Sequence, residues 1–280
     1  MGAAFGWRAR IGVLGSYLVL VVACVFFVVP IFWIFSTSLK PTPEILVTPT
    51  TLLPIAPTLD HYAVAASGDF RKYMVNSLIA ASGATLIGLL LAIPAAFGFA
   101  KYAYRGSSAF LSFIVVTRVF PPIALALPFF LQFRVLGLTD TPWGLVIAYL
   151  PIVLPLMIWM LHGFFRDFPT ELIEAAELDG LGTLQTLVRI VIPLSLPGLG
   201  VATLFGFLVA WNEFVIALTL TRTPAGQTMP VGISTLITQF QVLWGDMMAV
   251  AAVYLIPVFI VTIVTQRGLV RGLMSGASKG

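Results

Sequence analysis

The sequence predicts an all-α polytopic membrane protein: six transmembrane helices, with a short helical excursion between the fourth and fifth. Three observations lead there. Hydrophobic residues make up 59% of the 280-residue chain and charged ones only 9%, with a mean hydropathy of +1.04, whereas a soluble domain is about 25% charged. The apolar residues gather into six runs, each near the ~20 residues a helix needs to cross a bilayer. Those runs are continuous, not the alternating segments of about ten residues that would build a membrane barrel. A chain this apolar and rich in Phe is not disordered either. The single cysteine, Cys24, lies inside an apolar run, which leaves no disulfide framework or thiolate metal site.

The first run covers 11–35 and follows Arg8 and Arg10. It is too long for the core of a signal peptide and no small-residue cleavage site follows it, so it reads as a retained anchor. The remaining runs are 73–100, 107–131, 143–165, 193–220 and 247–265, which together make one transmembrane domain over 1–280. The short turns Lys101–Gly106 and Val135–Thr141 make their flanking spans antiparallel neighbours. Lys40–Arg71, with five prolines between 41 and 57, reads as ordered extended chain. Two other loops are long, 166–192 and 221–246. With both termini inside, nine of the 15 basic residues fall on the inner side and five on the outer, with Arg118 inside the third span. That bias favours cytoplasmic termini, although Arg71 and Lys72 run against it. The net charge of +4 comes from dispersed residues, which suits lipid headgroups and not nucleic acid.

The 166–192 loop carries Arg166, Asp167, Glu171, Glu174, Glu177, Asp179 and Arg189. Pro169 and Thr170 offer a helix start, with acidic residues in the first turns where the macrodipole favours them. Gly180 and Gly182 interrupt that helix, and Thr183 can cap a second one with Leu184, Leu187, Val188 and Val191 along one apolar face. Pro193 ends it and opens the fifth span. Ala175 and Ala176 together give a low-profile surface that another protein can approach. Periodicity alone allows this to be no more than a solvated loop closed by its own caps.

The exact string is more specific. Glu174-Ala175-Ala176, Gly180, Ile190, Ile192 and Pro193 resemble the EAA motif of ABC-importer permeases, with Ile192 in place of Leu as the one departure. Asn76-Ser77, Gly137-Leu138, Thr141, Gly144, Trp211-Asn212-Glu213-Phe214 and the tail Arg271-Gly272-Leu273, Gly276-Ala277, Lys279-Gly280 are similar to the shorter, six-span maltose-type permeases of carbohydrate importers. The resemblance implies a bacterial plasma-membrane subunit that moves a carbohydrate by alternating access. It implies a second homologous permease, two ATP-binding subunits and an extracytoplasmic substrate-binding protein as partners. Glu174, Ala175, Ala176, Asp179, Gly180, Ile190 and Pro193 would then couple to the ATPases, and the 221–246 loop would approach the binding protein. No Gly-x-x-x-x-Gly-Lys-Ser/Thr string occurs to cradle a phosphate. The chain is therefore expected to hold no cofactor and to be no enzyme, with ATP and Mg bound by partner subunits.

Ionisable groups inside spans are functional candidates because hydrocarbon makes them costly. Arg118, just before Pro121-Pro122, reads equally as a pathway residue or as a buried group bonded to carbonyls that the prolines free. Glu213, beside Asn212, reads as an inter-helix hydrogen-bond partner ahead of a gate or pathway contact. His162 reads as interfacial. Trp33, Trp143, Trp159 and Trp244 fit interfacial belts or packing. An ion-coupled secondary transporter is the rival class, but it places acids near the midplane of its spans, and none lies at the centre of a run here. No Ser/His, metal or paired-carboxylate constellation suggests an intramembrane enzyme. The topology has a direct check: in a Cys24→Ala background, an impermeant maleimide applied to intact cells should label Thr223→Cys and leave Thr183→Cys unlabelled. Labelling at 183 instead would reverse the orientation.

Overall fold

A computed structural model of the protein describes the backbone of residues 3–102 and 105–277 and the side chains of 13–102 and 105–266. The side chains of Arg8, Arg10, Arg267 and the tail signature over 271–280 lie outside these described residues. In chain order the helices are α1 (Ala3–Ser38), α2 (Thr42–Ile45), α3 (Asp60–Ala65), α4 (Gly68–Lys101), α5 (Ser107–Val116), α6 (Pro122–Val135) and α7 (Pro142–Arg166). There follow α8 (Thr170–Leu178), α9 (Thr183–Thr186), α10 (Ile192–Leu194), α11 (Leu196–Trp211), α12 (Val215–Leu220), α13 (Met229–Ser234) and α14 (Trp244–Ala277). A 3-10 turn, Thr117–Val119, precedes α6, and a π-helical stretch, Leu187–Val191, precedes α10.

Four of these helices are long and apolar enough to cross a membrane: Val13–Ser38, Gly68–Lys101, Pro142–Arg166 and Trp244–Gln266. The third and fifth predicted runs are not straight. The third bends by 91° between Ser107–Val119 and Pro122–Val135. Phe120 and Pro121 there are extended, the conformation that a following proline imposes. Around the fifth, Thr183–Leu194 and Leu196–Trp211 meet at 83°, and the helix breaks again over 212–214 before α12. The chain divides into two units, 1–67 with 236–253, and 68–235 with 254–280.

In the first unit the described part of α1 presents most of its side chains outward, Cys24 among them, with Ser36, Thr37 and Ser38 buried at its end, as suits a helix largely surrounded by lipid. The loop after it closes on itself and does not simply run extended. Lys40 is buried, its Nζ donating to the Thr51 carbonyl and lying 4.9 Å from the centre of the Trp33 ring. Glu44 accepts from the Thr51 hydroxyl at 3.0 Å and the Ile55 N–H at 2.8 Å. Burial pushes the Glu44 carboxyl up, but those two donors, the Ala56 N–H and the Lys40 charge together hold it below its ordinary value.

In the second unit the core is set by residue size. Along α4 the buried face carries Ala80, Ala84, Gly88, Ala92 and Ala96, one small residue every fourth position. Gly198, Ala202, Gly206 and Ala210 repeat that spacing on α11. Residues four apart share a helix face, and small side chains let backbones approach closely where no hydrophobic effect drives helices together in lipid. Both stripes are filled from outside: a Cβ on Gly88 of α4 would stand 3.1 Å from Met157 Sδ, and on α11 one on Gly206 would stand 2.1 Å from Met157 Cε and one on Gly198 2.5 Å from the Phe164 ring. Two apolar clusters result. One surrounds Tyr149, Phe207, Trp211 and Ile216, with Trp211 stacked between Phe207 and Tyr254. The other surrounds Phe97, Met157, Leu161, Phe165 and Val191.

Polar groups within this unit converge on 220–229. The Asn76 side-chain amide donates to the carbonyls of Pro224, Ala225 and Gln227 at 3.2, 3.1 and 2.9 Å, and the Ser77 hydroxyl accepts from Met229 N at 2.8 Å. Asp140, at a positive φ of 60°, accepts from the N–H groups of Arg222 and Thr223 and from the Thr223 hydroxyl at 2.9, 3.0 and 2.7 Å. A Cβ on Gly226 would meet the Asp140 backbone at 2.5 Å. The turn holding Asp140 is itself fixed by Thr141, whose hydroxyl caps α7 through Gly144 N at 3.0 Å.

Burial raises the Asp140 pKa, but its three donors and the nearby Arg222 charge outweigh that and hold it below the usual value. A folded-state pKa below the unfolded one means the tie is at full strength above the unfolded pKa and is lost as pH falls through the folded value. A spin label at Gln227→Cys should therefore stay immobile through the ordinary carboxylate range and loosen only below it. In an Asp140→Ala background the label should be more mobile than in the wild type at neutral pH and lose that pH dependence, with Asn76 and Ser77 still holding part of the loop. Equal mobility in both backgrounds at neutral pH would show that Asp140 does not hold the loop.

Candidate coupling site

The segment after α7 is short and closed at each step. Lys101, the last residue of α4, donates from Nζ to the Phe168 carbonyl at 2.7 Å, pinning the chain just ahead of Pro169. The helix α8 then starts at Thr170, as its Pro169-Thr170 signal predicts, with Glu171 in the first turn. Ile173 and Ala176 face inward and are buried, while Glu174, Ala175, Glu177 and Leu178 face out. The expected low-profile pair therefore divides: positions 173 and 176, three apart, share the core face, and Ala175 alone of the alanines is presented.

Gly180 ends α8. Its N–H donates to the Glu177 carbonyl at 3.0 Å, the Leu181 N–H donates to Ala176 O at 2.9 Å, and φ at Gly180 is +81°. This pair of bonds is the Schellman closure, in which a left-handed residue satisfies the last carbonyls of a helix. The fixed three-residue gap between Ala176 and Gly180 thereby acquires a physical meaning, because both belong to the same closure. A Cβ at Gly180 would meet nothing within 4 Å, so the position is restricted by backbone conformation and not by crowding.

The second half differs from expectation in three respects. Gly182, not Thr183, is the capping residue: its N–H donates to Gln185 Oε1 at 3.3 Å and its carbonyl accepts from Thr186 N at 2.9 Å. Thr183 instead accepts a hydrogen bond from the Tyr102 hydroxyl at 3.2 Å. Of the predicted apolar face, Leu187 and Val191 are buried, but Leu184 is 70% and Val188 53% exposed. Pro193 does not end the helix; the bend falls at Ser195, whose N–H donates to Val191 O at 2.9 Å. A proline ring crowds the carbonyl four residues earlier, here Arg189, and the wider π-helical turn lies there. Ile190 is half-buried in that turn and Pro193 is exposed.

The loop stands on the ends of α4 and α7. Phe97 meets Phe165 edge-on at 6.0 Å and Tyr102 edge-on at 6.1 Å, and Ile173, Leu187 and Val191 pack into the same cluster. The sequence reading did not single out Phe97, Phe165 or Lys101, although an aromatic near the end of each of two adjacent spans was a usable signal.

The polar candidates within spans lie apart from this site. Arg118 is exposed in the 3-10 turn at the 91° bend, with no hydrogen bond or ion pair among the described residues. It is thus not the buried, carbonyl-bonded group that one reading allowed. Asn212 is exposed and folds back to donate to the Leu208 carbonyl at 2.8 Å, closing α11. Glu213 is 8% exposed and its two carboxylate oxygens accept from the N–H groups of Ile216 and Ala217 at 2.9 and 3.0 Å. It caps α12 inside its own segment and also interacts with the buried Tyr149 side chain of α7, so the expected inter-helix partner is present beside the local cap. The positive end of a helix and its unpaired N–H groups explain why an acid sits there. His162 is half-buried, and Trp143 and Trp159 are exposed.

If the turn conformation is what matters, Gly180→Asn should keep more function than Gly180→Leu, because Asn tolerates φ above zero and other side chains cost about 1–2 kcal/mol there. Ala175→Trp should impair function through bulk on the presented face. Wild-type activity in both Gly180→Leu and Ala175→Trp would remove the loop from the mechanism.

The family described as binding-protein-dependent transport system inner membrane component matches residues 84–275. The trehalose transport system permease protein SugB of Mycobacterium tuberculosis (strain CDC 1551 / Oshkosh) is 37% identical over 254 residues, covering 90% of this chain and 92% of that protein. The diacetylchitobiose uptake system permease protein DasC of Streptomyces coelicolor is 31% identical over 274 residues, 98% of this chain and 99% of that one. Among solved structures, a bacterial ABC transporter involved in the import of the acidic polysaccharide alginate superposes with a TM-score of 0.76 at 26% identity, over 93% of this chain and 97% of that one. With the family matched across most of the chain and relatives aligned nearly end to end, this protein belongs to the binding-protein-dependent transport system inner membrane components, the multi-pass permease subunits of ABC importers.

Proposed function

We propose that this chain forms half of the pathway by which a carbohydrate enters the cell, with 166–192 as the element that receives force from a partner ATPase. The observation that carries the proposal is the closure of that loop: α8 ends in a Schellman turn at Gly180 and its inner face is buried on Phe97 and Phe165. A loop so closed transmits displacement to α4 and α7, whereas a soft one would absorb it. Glu174, Ala175, Asp179 and Leu178, the last 90% exposed, form the docking face. Ala176 and Gly180 act one step back, by closing α8, and Ile190 and Pro193 shape the turn into α11. The N-in, C-in orientation, supported by the bias of basic residues, puts this face in the cytoplasm.

ATP and Mg bind in two partner subunits, whose closure drives alternating access. A second permease completes the pathway, and a substrate-binding protein delivers the cargo on the opposite side, where 221–246 lies. Arg118, exposed at the bend, is the pathway candidate; Asn212 and Glu213 shape the break in the fifth span. The carbohydrate class is supported by relatives named for trehalose and diacetylchitobiose.

The test is uptake into proteoliposomes holding this chain, its second permease and the ATPases, with ATP inside, binding protein outside and no ion gradient. Carbohydrate should accumulate, and ATP hydrolysis should rise when loaded binding protein is added. Uptake that follows a proton or sodium gradient and ignores ATP would overturn the proposal.

A further inference from the structure

Residues 236–246, within the first unit, fold into a small hairpin. Ile237 and Val242 form an isolated antiparallel bridge, and Thr238 closes the turn through its N–H and hydroxyl to the Gln241 carbonyl at 3.0 and 2.6 Å. The turn leaves Phe240 95% exposed. Between this hairpin and α2 lies a cleft of about 350 Å³, lined in part by Thr42, His61, Phe240, Gln241, Trp244 and Asp246. That volume falls within the range of small-molecule sites, roughly 300–1,000 Å³.

One wall of the cleft is built, not incidental. His61 Nδ1 lies 2.6 Å from Asp246 Oδ1 and Nε2 lies 3.0 Å from the Lys40 carbonyl. Both partners are acceptors, so the ring N–H donates to one of them and the ring is held between the two. This holds Asp246 with Oδ1 engaged, while Oδ2 receives no hydrogen bond among the described residues. The close approach requires Gly245, since a Cβ there would stand 2.2 Å from His61 Nε2.

We propose that this cleft is a binding subsite for one ring of an uncharged saccharide, an inference that rests on the carbohydrate-import reading above. Phe240 and Trp244 offer flat apolar faces to the C–H face of a pyranose. The Asp246 carboxylate accepts from sugar hydroxyls, while the Gln241 amide and Thr42 hydroxyl both donate and accept. This combination of aromatic walls and a few convergent polar groups is what small-ligand sites require. The lining residues include no lysine or arginine, and Asp246 repels a second carboxylate, so a uronate is disfavoured.

The test uses the complex of this chain with its second permease and ATPases in nanodiscs, without binding protein. Saturation-transfer NMR is recorded with glucose, maltose, trehalose and glucuronate at millimolar concentration. At least one neutral sugar should receive a signal several times that of glucuronate. Phe240→Ala and Gln241→Ala should each weaken its binding about tenfold, the loss of one good contact. Phe240 is nearly fully exposed, so its truncation removes no core packing. The same preparation, supplied with binding protein and ATP, is assayed for uptake. Uptake without any saturation transfer, transfer that survives both substitutions, or glucuronate binding as well as the neutral sugars would overturn the subsite and leave the import reading standing. Failure of ATP-driven uptake for every carbohydrate would instead count against the import reading.

Discussion

The structure depends on backbones approaching closely inside an apolar solvent. In lipid, two helices gain little from hiding leucines from one another, so packing must supply what the hydrophobic effect does not. The second unit meets this with two stripes of small residues, Ala80 to Ala96 on α4 and Gly198 to Ala210 on α11. Larger side chains such as Met157 and Phe164 fill the notches so formed. The aromatic seat at the ends of α4 and α7 exists because these helices are held close enough for Phe97 and Phe165 to meet. The coupling loop inherits its position from that contact. A substitution in the stripe would therefore reach the loop without touching it.

A second principle concerns the few polar groups. In a chain with 9% charged residues, the buried and half-buried polar side chains serve backbone atoms that would otherwise be unpaired. Glu213 satisfies the start of α12, and Asn76 satisfies three carbonyls of the loop after it. Asp140 secures two N–H groups of that same loop. Glu44 and Lys40 close the loop after α1 in the same way. Charge here maintains irregular backbone where the helices break, and this is how a membrane protein keeps segments of defined shape between its spans.

The motif residues of the coupling loop divide by this logic into two kinds. Ala176 and Gly180 belong to one hydrogen-bonded closure and one buried face, and Ala175 and Glu174 belong to the surface. A linear motif mixes the two because the helix alternates its faces every one or two residues. Several positions that looked like surface or core from spacing alone changed places for the same reason. Leu184 and Val188 point outward while Leu187 and Val191, on the same turns, are buried.

The sequence alone determined the membrane-embedded helical class, the start of α8 at Pro169-Thr170, the break at Gly180 and the family signature. These follow from composition and from residues whose backbone preferences are local, proline and glycine above all. Tertiary structure decided the rest. The bends at Pro121-Pro122 and Ser195 have local causes, but their angles of 91° and 83° depend on what the next helix packs against. Partners such as Asp140 with Thr223, His61 with Asp246 and Lys101 with Phe168 are far apart in sequence, and no periodicity joins them. The small-residue stripes were legible in principle, since alanine and glycine recur at every fourth position. Which helices they would bring together was not, because a stripe specifies closeness and leaves the partner to the fold.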